Sequence, residues 1–210
     1  MHLTICRHGE TDFNVQRRLQ GWMDTPINGH GLEQAKLVAK RLRWERFDCA
    51  FCSPLRRTRE TFSEVIKFHK DLPAQFRDEL KEISLGIYEG LNAREIDEKY
   101  PGHWSRRVDS KYDFEHKGGE SYKGMDLGRV ANFLQELREK CSSRRVLVMT
   151  HQGTAKMMLG SMLGLTPEEK MGINMPNDCI YFVEYRPHKT GVSYELLESG
   201  NKGGGVLKNP

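Results

Sequence analysis

The chain has no run of apolar residues approaching the roughly 20 needed to cross a bilayer, and no basic-then-apolar export signal opens it. Its five cysteines are odd in number and irregularly spaced, which argues against a secreted disulfide framework and leads us to expect a cytoplasmic protein. Cys49-Ala50-Phe51-Cys52 does form a C-x-x-C. In an apolar strand, however, the two thiols face opposite sides, and no second pair follows to complete a zinc site. No tight cluster of His, Asp and Glu is spaced for a metal, so neither metal nor cofactor is expected. Charge of one sign is also scarce: the net +4 is scattered over short clusters such as Arg56-Arg57-Arg59, Arg106-Arg107 and Arg144-Arg145. With no helix-turn-helix, finger or RNP signature beside them, these clusters favour a small anionic substrate over nucleic acid. There are no internal repeats.

What is present is enough apolar residue, 37% of 210, for one sizeable core. Strands are expected at 1–6, 48–52, 146–149, 179–184 and 194–197, and amphipathic helices at 32–43, 55–69, 123–140 and after 154. Leu32, Ala35, Ala39 and Leu42 mark the inner stripe of the first helix, and Leu127, Val130, Leu134 and Leu137 that of the third. Strands and helices in this alternation predict an α/β fold, three α/β/α layers on a mostly parallel sheet. Residues 91–122, rich in Lys, Arg, His and aromatics, interrupt the alternation and read as a small helical cap inserted into a single domain spanning 1–200. The glycine-rich stretch 201–210 is expected to be a flexible tail. Residues 12–31 form a polar loop too long to be idle, closed by turn chemistry at Asn28-Gly29-His30-Gly31.

Two strand ends carry the chemistry. Ile5-Cys6-Arg7-His8-Gly9-Glu10-Thr11 runs from a buried strand into a cation, an imidazole and a glycine, where α/β sheets open their ligand crevices. The strand at 146–149 delivers Thr150-His151-Gln152-Gly153 in the same way. Arg56, Arg57 and Arg59 fall in the first turn of a helix, where arginine is locally unfavourable unless an anion joins it. Glu82, in Leu80-Lys81-Glu82-Ile83-Ser84-Leu85-Gly86, is an acid among apolar neighbours, a setting that suits a proton donor.

These strings together, with Asn14 and Gln20-Gly21 behind the first and Ser53-Pro54-Leu55 opening the second, resemble the histidine phosphatase superfamily, which includes the cofactor-dependent phosphoglycerate mutases. The likeness covers about residues 1–185. It implies that His8 is the phosphorylated nucleophile, that Arg7, Arg57 and His151 form the phosphate pocket, and that Glu82 donates the proton. Asn14, Gln20, Gly21 and Gln152 are then the further contacts to the phosphoryl group or substrate. Thr58 and Gln152 depart from the family pattern, standing where alanine and glycine are usual. The chemistry suits phosphoryl transfer, in which charge spreads over three equatorial oxygens. Two arginines grip those oxygens, a protonated His151 is expected as a third partner, and a neutral His8 attacks.

The short cap and Gly118-Gly119-Glu120-Ser121 resemble the phosphatase branch. The implied activity is therefore hydrolysis of a small phosphorylated metabolite. A phosphoglycerate mutase and a catalytically silent phospho-ligand-binding relative are the alternatives. Arg106, Arg107 or Lys111 in the cap is expected to select a second negative charge. The expected partner is a small phosphorylated substrate, with no nucleic acid or membrane, for a monomer or homodimer.

Overall fold

A computed structural model describes residues 1–186 and 189–208. Seven strands pair into one sheet: β1 (His2–Arg7), β2 (Cys49–Cys52), β3 (Ala74–Phe76), β4 (Arg145–Thr150), β5 (Cys179–Glu184), β6 (Gly191–Leu196) and β7 (Lys202–Gly204), in the order β3-β2-β4-β1-β5-β6-β7. The first four in that order are mutually parallel, and each later neighbour pairs antiparallel, so only β5 and β7 run against the rest. The helices are α1 (Asp12–Val15), α2 (Gly29–Leu42), α3 (Arg56–Ile66), α4 (Ala93–Lys99), α5 (His103–Asp109), α6 (Tyr122–Met125), α7 (Ala131–Lys140), α8 (Gln152–Leu163) and α9 (Pro167–Met171). Helices α4 and α5 lie within the expected cap.

Burial on both faces of the sheet explains the near-continuous apolar runs of β1 and β4. One face packs Ile5, Val146 and Val148 against Phe133, Leu134 and Met158, and the other packs Cys6, Leu147 and Met149 against Val38, Leu42, Phe62 and Val65. Cys49 belongs to the first face and Cys52 to the second, as alternation along a strand requires.

Register sets the site. Cys6 and Cys52 both pair with Met149, and Arg7 pairs with Thr150, so the carboxyl ends of β1, β4 and β2 are level. The ladder runs on beyond them, His8 N donating to Thr150 O at 3.2 Å and Ser53 N to Met149 O at 3.0 Å. His8, His151 and Ser53 consequently leave the sheet side by side.

Several sequence expectations are corrected. Helix α2 begins at Gly29, because Asn28 Oδ1 accepts from Gly31 N and acts as its N-cap, and Leu32 faces outward while Gln34 and Val38 are buried. The polar loop starts with α1, whose N-cap Thr11 exchanges hydrogen bonds with Asn14. The helix expected at 123–140 is split by a wide turn at Asp126–Val130, where Gly128 has φ −98° and ψ −105°. The extra residue in that turn shifts the helical phase, so Leu127 is 68% exposed although its position matched the apolar stripe. The expected flexible tail is ordered as far as 208. β7 joins the sheet edge, Val206 and Leu207 pack on the core, and Leu207 N donates to the Tyr181 hydroxyl at 2.9 Å. Its last two positions, 209 and 210, lie outside the described residues.

Candidate active site

His8 follows β1 directly and is 2% exposed. Its Nδ1 lies 2.7 Å from Gly9 O. A carbonyl only accepts, so Nδ1 carries the hydrogen and Nε2 the lone pair. Burial first, then Arg57 and Arg7, hold the His8 pKa well below the ordinary imidazole range. Arg7 reaches Met175 O through Nη1 at 2.7 Å, while its buried Nε has no partner among the described residues. Burial pushes its pKa down to about 10, opposed by Glu82.

Arg57, in the first turn of α3, is 1% exposed. Its Nε donates to His151 Nδ1 at 3.2 Å, and Nη1 and Nη2 donate to Met23 O and Gly21 O, both at 2.8 Å. Burial lowers its pKa to about 10. The neighbouring arginines stay in solvent, Arg56 on Glu60 and Arg59 near Asp24, so only one of the three enters the site.

The rings of His8 and His151 lie 5.1 Å apart. His151 corrects one expectation. Since Nδ1 accepts from the guanidinium, its proton sits on Nε2, which donates to Ser53 Oγ at 2.8 Å. The ring is therefore neutral, and burial, with Arg57 next, keeps its pKa well below the ordinary range. It stands behind Arg57 and does not line the cavity.

That cavity, of about 310 Å³, is lined by Arg7, His8, Arg57 and Glu82 together with Asn14, Gln20, Gly21 and Gln152. Glu82 accepts from Ile83 N through Oε1 at 3.0 Å and from Gly153 N through Oε2 at 3.1 Å. A Cβ on Gly153 would stand 2.3 Å from Glu82 Oε1, so only glycine lets the start of α8 meet the acid. Asn14 Oδ1 is held by Thr11, Gln20 Oε1 accepts from Thr25 Oγ1, and Gln152 Nε2 donates to Asn174 Oδ1. Gly21 has φ +53°, and a Cβ there would meet Glu89 Oε1 at 2.1 Å. Among the described residues no group of three or more His, Cys, Asp or Glu side chains is placed to hold a metal ion.

The cap supplies Trp104, Arg107 and Lys111 to the same cavity. Arg107 is 8% exposed, donates through Nε to His116 Nε2 at 3.2 Å, and sits 5.0 Å over Trp104. Burial lowers the pKa of both Arg107 and Lys111. Arg106 is turned outward, its Nε donating to Gly102 O, which removes it from the expected set. Arg18 and Tyr122 also line the cavity and were not identified from sequence, nor was Trp104. Trp104 and Arg107, three apart on α5, could have been grouped on one helical face, whereas Lys111 lies two residues beyond the end of that helix.

The buried histidines give a prediction for acid stability. His8, His151 and His116, the last with its pKa lowered to about 4 by burial, take up protons near pH 6.5 only when unfolded. The stability they confer is complete above about 6.5 and declines below it, by about 1.4 kcal/mol per pH unit for each. His30, raised by Glu198 and then Glu10, acts in the opposite sense but is single and exposed. The urea midpoint is expected to fall between pH 6.5 and about 5 and to level above. A flat midpoint across that window would contradict this burial.

The sequence profile of the histidine phosphatase superfamily (branch 1) matches residues 3–195. Phosphoserine phosphatase 1 of Hydrogenobacter thermophilus is 34% identical over 163 residues, 78% of this chain and 76% of that protein. The adenosylcobalamin/alpha-ribazole phosphatase of Escherichia coli is 28% identical over 182 residues, covering 85% and 87%. The crystal structure of the alpha-ribazole phosphatase from Shigella flexneri matches with a TM-score of 0.84 at 25% identity, over 90% of this chain and 93% of that one.

Proposed function

The chain belongs to the histidine phosphatase superfamily, and from that premise we propose that it is a phosphomonoesterase that releases phosphate from a small metabolite through a phosphohistidine on His8. The observation that carries this reading is the His8 Nδ1 hydrogen bond to Gly9 O, which leaves a neutral ring with its Nε2 lone pair beside Arg7, Arg57 and Glu82. Nε2 attacks phosphorus, and the ester P–O bond breaks as Glu82 gives its proton to the leaving oxygen. The resulting carboxylate then takes a proton from water, which attacks the phosphohistidine and frees both phosphate and His8. Arg57 keeps one N–H on each terminal nitrogen beyond its backbone bonds, and Arg7 keeps Nε–H, for the equatorial oxygens.

Arg107 and Lys111 make no ion pair with any described residue, and a single phosphoryl group does not need them. We assign them to a second anionic group on the substrate. Phosphoserine, the substrate in one relative's name, carries such a group as a carboxylate. Replacing either by alanine is expected to cut kcat/KM on doubly charged esters by about ten- to a hundred-fold, at about 1.5–3 kcal/mol per charge-assisted contact, and to spare a simple aryl phosphate. Equal losses on both ester classes would contradict the assignment.

The activity itself is tested with a panel of phosphorylated metabolites and a free-phosphate readout. Labelled phosphate from a phosphoglycerate appears as inorganic phosphate for a phosphatase and on the other hydroxyl for a mutase. A protein that binds these esters without turning any over is the silent relative.

A further inference from the structure

The segment that carries Glu82 has neither helix nor strand from 81 to 85, so its backbone groups need other partners to hold the acid in place. Thr154 Oγ1 donates to Lys81 O and Trp22 Nε1 to Glu82 O, and four further bonds come from two residues far along the chain. Arg129 uses all five of its N–H groups: Nη1 donates to Glu79 O at 2.6 Å and Lys81 O at 2.8 Å, and Nη2 to Glu82 O at 2.9 Å and Glu120 Oε2 at 3.0 Å. Nε donates to Glu120 Oε1 at 2.9 Å. Glu120 in turn accepts from Ser84 N through Oε2 at 2.9 Å, and its own N–H donates to Ser84 O at 2.8 Å. The pair thus grips the carbonyls before Glu82 and both backbone groups of the residue two beyond it.

The sequence is shaped to allow this grip. A Cβ at Gly119 would stand 2.5 Å from Ser84 O, so glycine is needed where Glu120 approaches the segment. Arg129 lies in the wide turn at 126–130, the one place where the helix departs from its regular path. On the far side, His116 Nδ1 donates to Glu120 O at 2.6 Å while its Nε2 accepts from Arg107, which joins the grip to the cap wall of the cavity. A surface ion pair would not be committed to so many backbone carbonyls.

We propose that Arg129 and Glu120 are positioning residues for Glu82, fixing the acid beside the ester oxygen it protonates. This rests on the reading of Glu82 as proton donor. In the step concerned, the ester P–O bond breaks and the Glu82 proton passes to the leaving oxygen. An alkoxide needs that proton, whereas a nitrophenolate leaves without it. Misplacing Glu82 therefore penalises alkyl esters selectively, and a general loss of structure does not.

The test compares kcat/KM for an alkyl phosphate and for p-nitrophenyl phosphate in R129K, E120Q and E82Q, because kcat/KM covers events up to departure of the alcohol. R129K keeps the charge but loses the planar fork. It is expected to lose about ten-fold or more on the alkyl ester and far less on the nitrophenyl ester, with E120Q following the same pattern and E82Q showing the largest split. Residual nitrophenyl phosphatase activity certifies that each variant is folded. If E82Q splits the esters while R129K and E120Q lose both equally, the grip is structural only and the proposal is overturned. If E82Q itself loses both equally, Glu82 is not the donor and the proposal falls with that assignment.

Discussion

His8→Ala is expected to lower turnover by at least about a thousand-fold, the scale seen when a covalent nucleophile is removed. Nothing else in the cavity can replace it. His151 is the nearest imidazole, yet its Nδ1 is occupied by Arg57 and its Nε2–H by Ser53, so neither nitrogen offers a lone pair. His8 follows the buried run of β1 and is itself only 2% exposed. Even so, the fold is expected to persist, because the ring borders the cavity and its loss frees only Gly9 O. Steady-state rates and a thermal melt of the variant check both statements, and added imidazole is expected to restore part of the activity by filling the space of the ring. Turnover near the wild-type rate would remove His8 from the mechanism.

The second large effect is expected at Arg57. Its guanidinium touches His151 and two carbonyls of the loop at 21–23 at once, and a lysine ammonium cannot match that planar arrangement. Arg57→Lys is expected to reduce kcat/KM by about a hundred- to a thousand-fold, the range for removal of one preorganised donor to a developing oxyanion. The same change leaves Gly21 O and Met23 O poorly satisfied, so the loop should become more sensitive to limited proteolysis. Substrate is expected to protect the loop further in the wild type and not in the variant. An R57K enzyme with wild-type kcat/KM would show that the guanidinium serves the loop alone.

Much of this site was legible in the sequence because it lies at the ends of strands. The apolar runs of β1 and β4 are unambiguous, and parallel pairing of Arg7 with Thr150 necessarily brings His8 and His151 together. Helix α3 was equally visible, but not which of its arginines turns inward. That is decided by the face shared with Thr58, Thr61 and Phe62, which buries Arg57 and leaves Arg56 and Arg59 in water. Leu127 misled because one residue inserted at the wide turn shifts a stripe that looks regular on paper. β3 and β7, each three residues long, are too short to show a period, and the glycines of β7 read as tail. The neutral state of His151 and the grip of Arg129 were hidden for a common reason. Both depend on which donors and carbonyls lack a regular partner, and a sequence does not display them.

Phosphorylation through His8 is tested most directly by trapping the phosphoenzyme. Rapid quenching of the wild type during turnover of a phosphorus-labelled ester, followed by peptide mapping, is expected to place an acid-labile, base-stable phosphate on the peptide containing His8, and to find none in H8A. Label on another residue, or full-rate turnover with no label captured at any quench time, would contradict a phosphohistidine at position 8.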